Sequence, residues 1–308
     1  MVVSSGMKKF LLLLVLPVLT QCGGGGGGGR APVKSLSFRG GFGETSVSRS
    51  PAVLNVSGWD PKEVQCSGDC YSQHDLSALR KNGAQALIAR SAKGPLLDDK
   101  FGDFLKSADR AGLMLGAYHF VTMDQDPVAQ ADSFVNRVHS MAAAKGISGK
   151  GILLVGDFDT RSTPDRLVKF ITEVHRRTGI YPMTYLENSD GLRERMRKAS
   201  PEQKAVIRHS PYWLALYGPG GTERTMSRVG ALTPDSLAGQ YGIWSGWTMW
   251  QYGGVAWEKG GSRSKHYDTD SWHSPRYFGH LAHPTERSVF KGNTESLQAF
   301  WQRHSMTV

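Results

Sequence analysis

The stretch Gly151-Ile-Leu-Leu-Val-Gly-Asp-Phe-Asp159 decides how the rest of the chain is read. Its apolar run has the pattern of a strand covered on both faces, and it leads directly into two carboxylates spaced i, i+2. Alternate strand residues share a face, so Asp157 and Asp159 are expected to project to one side and Phe158 to the other, with the two aspartate Cα atoms about 6.5–7 Å apart. Two carboxylates at a strand mouth suit glycoside chemistry, one donating a proton while the other steadies developing positive charge. The pair equally suits a loop that starts a helix, and Ser162-Thr163-Pro164 has the form of a helix N-terminus.

Outward from this strand the chain alternates. Strands are predicted at 53–57, 84–90, 113–120 and 180–185, and helices at 75–82, 98–111, 127–144 and 164–178, the last stopped by Gly179. Beyond 185 the pattern loosens into three further short strands, 212–217, 246–252 and 266–268, with weak or absent helices between them. Repeated strand–helix units predict a parallel sheet with right-handed crossovers, and eight strands at this length predict closure into a TIM-like β/α barrel. In such barrels the chemistry gathers at the C-terminal ends of the strands. That rule places Asn55, Tyr118, His119, Phe120, Asp157, Asp159, Tyr185, Tyr217, Trp250, Gln251, Tyr252 and Asp268 around one mouth. Each aromatic here also suits barrel packing, as do Trp213, Trp244 and Trp247, and His119 between Tyr and Phe suits a satisfied core position.

The first residues are not part of this fold. Lys8-Lys9 followed by the apolar run Phe10–Leu19 reads as a secretory signal over 1–21, too short to span a bilayer. Leu19-Thr20-Gln21-Cys22 resembles the lipobox of bacterial lipoproteins, in which the cysteine receives lipid, although Gln21 stands where a smaller residue is usual. Seven glycines, Gly23–Gly29, then form a flexible tether within a Gly/Ser-rich linker over 22–50. The barrel is expected over 51–272. Residues 273–308 read as a C-terminal extension with one amphipathic helix around Leu297–Trp301 packed on it.

Composition agrees with an exported globular domain: 39% hydrophobic and 21% charged residues are ordinary values. Formal charge is +10, and removing Lys8 and Lys9 leaves 35 basic against 27 acidic residues, or +8, which suits an anionic polymer such as cell wall. Nucleic acid fits less well, because the chain carries no Lys/Arg run and no nucleic-acid motif. Cys66 and Cys70, separated by Ser-Gly-Asp, are expected to close a small disulfide loop in an oxidising compartment.

Five segments in order carry a family resemblance. Ala111-Gly-Leu-Met-Leu-Gly-Ala-Tyr-His-Phe120, Asp126-Pro-Val-Ala-Gln-Ala-Asp-Ser-Phe134, Thr178-Gly-Ile-Tyr-Pro182, Tyr212-Trp-Leu-Ala-Leu-Tyr217 and Trp247-Thr-Met-Trp-Gln-Tyr252 resemble successive signatures of the glycoside hydrolase family 25 lysozymes. The resemblance implies an irregular TIM-like barrel of five β/α units and three closing strands. It implies action on the β-1,4 bond between N-acetylmuramic acid and N-acetylglucosamine of peptidoglycan with no metal or organic cofactor, and the chain itself is expected to be a monomer.

The family's acidic positions carry over unevenly. Its Asp-x-Glu at the fourth strand is here Asp157-Phe158-Asp159, its Asp-Val-Ser at the first strand is Asn55-Val56-Ser57, and its Thr-Glu-Gly at the second is Ala92-Lys93-Gly94. The late family Asp is matched to Asp268, with Asp270 two residues on. The mechanism implied is substrate-assisted: the 2-acetamido oxygen attacks the anomeric carbon, Asp157 stabilises the oxazolinium, and Asp159 protonates the leaving oxygen and then activates water. Crowding with Asp157 and Asp268 would raise the pKa of such an acid. Three readings stay open: an active muramidase, a cell-wall glycan-binding barrel that does not cleave, and a glycosidase for another N-acetylated glycan.

Overall fold

The computed structural model describes residues 51–58, 60, 73–81, 83–187, 189–216, 234–253 and 286–308. The signal, Cys22, the linker, Cys66, Cys70, Tyr217, the 266–268 strand with Asp268, and Asp270 lie outside the described residues. Of Tyr252 only the backbone is described.

Eight strands close a barrel in the order β1 (Ala52–Val56), β2 (Ala84–Lys93), β4 (Met114–Val121), β5 (Gly151–Phe158), β6 (Met183–Leu186), β7 (Tyr212–Ala215), β8 (Met249–Gly253) and β9 (Glu286–Phe290), which returns to β1. Pairings from β1 round to β8 are parallel, whereas β9 lies antiparallel to both β8 and β1. A two-residue strand, β3 (Leu96–Leu97), folds back on the end of β2. The outer layer includes α1 (Gln73–Lys81), α2 (Phe101–Arg110), α3 (Pro127–Ala144) and α4 (Pro164–Thr178).

β5 shows why a continuous apolar run is needed. Ile152, Leu154 and Phe158 join the large core cluster shared with the helices, while Leu153 and Val155 belong to a second cluster with Val53, Ile88 and Met249 inside the barrel. Every residue of the run is therefore removed from water. Gly156 is part of the same packing: a Cβ there would lie 2.8 Å from Phe158 and 3.0 Å from Phe170 of α4. The helix boundaries follow local chemistry. Asp126 caps α3 through the Ala129 amide, Thr163 caps α4, and Gly179 ends α4 in the left-handed conformation at φ 72°.

Two expectations need correction. The segment after β6 is not weakly helical: α5 (Asp190–Arg197) and α6 (Pro201–Arg208) fill the space before β7, and α7 (Pro234–Gly239) precedes β8. Ser200 and Gln203 form a reciprocal capping box at the start of α6, which compensates for its weak apolar pattern. Nor is the C-terminal segment an appendage. β9 supplies the closing strand, α8 (Thr294–His304) sends Leu297 and Trp301 into the barrel's inner cluster, and β10 (Ser305–Thr307) pairs antiparallel with β5. The register explains the last contact. β6 begins pairing only at Val155, so Gly151–Leu153 have an open edge that β10 covers. Among the described residues no helix is long and apolar enough to cross a membrane.

Candidate active site

The inner side chains change character along the barrel axis. Val53, Ala86, Ile88, Leu153, Val155, Met183 and Met249 fill the lower interior, and the next residues on the same faces are Asn55, Arg90, Asp157, Tyr185 and Gln251. Together with Tyr118, Phe120, Glu187, Trp213 and Glu286 these line a cleft of about 480 Å³ at the C-terminal ends of the parallel strands. The period-two alternation of the barrel strands thus delivers a polar layer on top of an apolar one.

A chain of side-chain hydrogen bonds crosses the floor from four strands. Tyr185 Oη donates to Gln251 Oε1 at 2.7 Å, Gln251 Nε2 donates to Asn55 Oδ1 at 3.0 Å, and Asn55 Nδ2 donates to Glu286. Register brings the last pair together, since Asn55 and Glu286 are direct partners across β1 and β9. Trp213 is fixed by its indole N–H, which donates to Ser288 Oγ at 3.1 Å, and its ring meets Tyr185 edge-on at 5.1 Å. Beside this floor, Asp98 accepts from the Gly58 amide at 2.5 Å and from Arg90 Nε at 3.1 Å, tying β1, β2 and the start of α2 into one rim.

The carboxylates of the cleft are short of counter-charge. Asp157 is held well above the ordinary carboxylate range, first by burial and then by the negative charges of Glu187 and Glu286, with Arg90 acting in the opposite direction. Its Oδ1 is buried without a hydrogen-bond partner among the described residues. Glu286 is pushed up to about 8 by burial and by Asp60, against the Asn55 hydrogen bond and Arg90. Asp60, which accepts from Ser57, is raised to about 6, again mainly by burial. Glu187 is also raised, by desolvation and by Asp159. Tyr118 is raised well above the phenol range by burial, so it remains a protonated donor.

Asp159 departs from expectation. β5 ends at Phe158, the chain turns with Ser162 N donating to Asp159 O, and the Asp159 carboxylate accepts from Arg161 Nε at 2.9 Å, Arg161 Nη2 at 3.0 Å and the Arg161 amide at 2.8 Å. This fork holds it below the ordinary range, and it does not line the cleft. The strand alternation that would have paired it with Asp157 stops one residue too early.

Two further expected residues face away. His119 is buried beneath α3 and α4, with Nε2 3.2 Å from Gln130 Oε1 and its ring against Phe134 and Phe170; burial lowers its pKa to about 4. Its neighbours Tyr118 and Phe120 take the cleft side, as alternation demands. Trp250 likewise lies in the outer cluster, donating its indole N–H to Leu216 O at 2.6 Å. Asn55, Tyr118, Phe120, Asp157, Tyr185 and Gln251 are brought together.

Arg90, Glu187 and Glu286 were missed. The first two carry a legible signal, because Arg90 ends the predicted second strand and Glu187 is an acid two residues past the C-terminal end of the predicted fifth, where barrel chemistry gathers. Glu286 carries none, since its partner Asn55 is 231 residues away in sequence. Among the described residues no group of three or more His, Cys, Asp or Glu side chains is placed to hold a metal ion.

Known proteins place this barrel. The sequence pattern of Glycosyl hydrolases family 25 matches residues 69–260, more than half of the chain. The "Autolytic lysozyme" of Clostridium acetobutylicum is 28% identical over 78 residues, which are 24% of this chain and 24% of that protein, so the match spans about a quarter of the curated relative. A bacterial lysozyme from Streptomyces coelicolor superposes with a TM-score of 0.51 at 18% identity, covering 81% of this chain and 96% of the other. The catalytic domain of endolysin ply40 from bacteriophage P40 of Listeria monocytogenes gives 0.52 at 17% identity, covering 82% and 97%. At such identities these two structures speak for the fold, an eight-stranded barrel with extra strands, and the sequence match speaks for descent: the chain belongs to the glycosyl hydrolases of family 25.

Proposed function

We propose that this chain is a lysozyme-like glycoside hydrolase that cleaves the β-1,4 bond between N-acetylmuramic acid and N-acetylglucosamine in peptidoglycan. The observation that carries this reading is Asp157: a carboxyl group at the C-terminal end of a barrel strand, desolvated, flanked by other acids and with one oxygen unpartnered in an open cleft. Such a group is poorly solvated before substrate arrives. An acetamido group that attacks its own anomeric carbon becomes a cationic oxazolinium, and Asp157 gains most from its neighbour when that charge is fully developed, so the stabilisation is selective for the transition state. Tyr185, held by Gln251, and Trp213 offer rigid faces against which a sugar ring packs.

The proposal extends to the chain's surroundings. Residues 1–21 direct export, Cys22 carries lipid, Cys66 and Cys70 are bonded to each other, and the monomeric protein works at the cell envelope on an anionic wall to which the net positive charge left after removal of the signal is suited. One observation favours a second reading, a glycan-binding barrel without turnover: the carboxylate expected as proton donor, Asp159, is ionised and occupied by Arg161. Incubating the purified full chain with purified peptidoglycan separates the two. New reducing ends that are lost in Asp157→Asn are expected; sedimentation with the wall but no new ends would establish the binding module.

A further inference from the structure

We propose that Glu187, at the end of β6, is the proton donor of this enzyme, taking the place expected of Asp159. The inference rests on the glycosidase reading above and names a catalytic residue within it.

The geometry sets the two acids apart. Glu187 lines the cleft with Asp157, and Asp159 does not. Asp157 is paired directly with Tyr185 across β5 and β6, and Glu187, the first residue after β6, lines the same cleft and is the charge that acts most strongly on Asp157. Both oxygens of Asp159 are engaged by Arg161, whereas no hydrogen bond or ion pair holds the Glu187 carboxyl among the described residues. Its backbone is nevertheless anchored: the Glu187 carbonyl accepts from Tyr241 Oη at 3.2 Å and from the Ser189 amide at 3.0 Å, and Ser189 in turn caps α5. A fixed main chain with an unengaged acidic side chain is what a donor requires. Desolvation and the Asp159 charge raise the Glu187 pKa, which keeps the proton in place. Asp159 thus acts as the fixed negative charge behind the donor.

The step balances. The acetamido oxygen forms its bond to the anomeric carbon as the glycosidic C–O bond breaks, and the Glu187 carboxyl passes its proton to the departing oxygen. The resulting Glu187 carboxylate then takes a proton from a water whose oxygen attacks the same carbon, reopening the oxazolinium and restoring the acid.

The test compares the full chain with Glu187→Gln, Glu187→Asp, Asp159→Asn and Asp157→Asn on two substrates: purified peptidoglycan, and a muramyl disaccharide aryl β-glycoside with a dinitrophenolate leaving group that departs without protonation. For Glu187→Gln, kcat on peptidoglycan is expected to fall on the order of 10²–10⁴-fold at little-changed KM, with less than about tenfold loss on the aryl glycoside. The alkaline limb of its pH profile should flatten. Glu187→Asp should recover part of the rate, and Asp159→Asn should move the alkaline limb to lower pH by removing the charge that raises the donor. A Glu187→Gln enzyme as active as the wild type, or equally impaired on both substrates, would overturn the proposal. Leaving-group-dependent loss in Asp159→Asn instead would make Asp159 the donor, leaving the hydrolase reading intact. If wild type and Asp157→Asn are equally inert on both substrates, the hydrolase reading falls and this one with it.

Discussion

The barrel has a cavity at each end, and the two are nearly the same size. The mouth encloses about 480 Å³ and the opposite end about 440 Å³, yet they differ in every chemical respect. At the lower end the lining is Leu113, Met114, Leu115, Trp301 and the glutamines of α8, and the charged pair there, Lys150 with Asp109 at 3.5 Å, is exposed enough to be worth little. At the mouth, burial holds the Asp157 and Glu286 carboxyls above the ordinary range beside the more exposed Glu187, and Arg90 and Lys93 are the cations that line the same cleft. Volume does not distinguish a site from a packing gap. What distinguishes it is charge: among the described residues the lower end ties Trp301 to Leu115 O at 2.7 Å and leaves only the neutral hydroxyl of Ser305 unpartnered, while the mouth keeps a buried oxygen of the Asp157 carboxyl unsatisfied.

That contrast is open to attack from both sides. The largest expected effect is at the mouth. Asp157→Asn removes the carboxyl whose ionisation the developing oxazolinium charge favours, and should cut turnover on peptidoglycan on the order of 10³-fold or more, as deletion of an electrostatic stabiliser does. Thermal melting of the same variant at pH 7 should show stability equal to or above wild type, because a neutral isostere replaces a carboxyl whose ionisation burial opposes. A destabilised Asn variant would mean that the mouth is not held at a cost. At the lower end Trp301→Ala should do the reverse, costing about 3–5 kcal/mol in denaturant unfolding while the turnover of the folded fraction persists.

The pH dependence sharpens the comparison at smaller magnitude. Glu286 has a folded pKa of about 8 against an ordinary value of 4.5, so between those limits the folded state retains a proton that the unfolded chain has released. Its contribution is fully present below pH 4.5 and is lost as pH rises through 8, a few kcal/mol in all. Urea titrations of wild type and Glu286→Gln across this window should show the wild type losing stability with rising pH and the variant losing less. Parallel curves would place the Glu286 carboxyl in a less desolvated setting. Smallest of the four, Ser200→Ala should cost about 1 kcal/mol by removing the cap of α6, with no change in activity, since the helix lies outside the cleft.

Residue by residue, the sequence was informative where one segment contains all the physics. The helix from Pro127 was readable because Asp126 and Pro127 sit together, and the stop of α4 because Gly179 alone accepts the left-handed turn there. β5 was readable because an unbroken apolar run has no other stable place. α5 and α6 were under-read because their apolar faces are short and their termini are secured by serine caps. The C-terminal segment was misread because a strand such as Glu286–Phe290 has no local mark of being the one that closes a barrel.

The sequence by itself determined the β/α alternation, the candidate mouth and the family, because periodicity, caps and motif order are properties of neighbours along the chain. Tertiary structure alone decided which acids face one another. Strand alternation puts Asp157 in the cleft and His119 and Trp250 out of it, but where β5 stops and turns hands Asp159 to Arg161. Closure by β9 brings Glu286 to Asn55 from the far end of the chain, and pairing of β5 with β6 sets Glu187 beside Asp157. The physical reason is that desolvation and charge coupling depend on distances across strands, and spacing along the chain does not encode them.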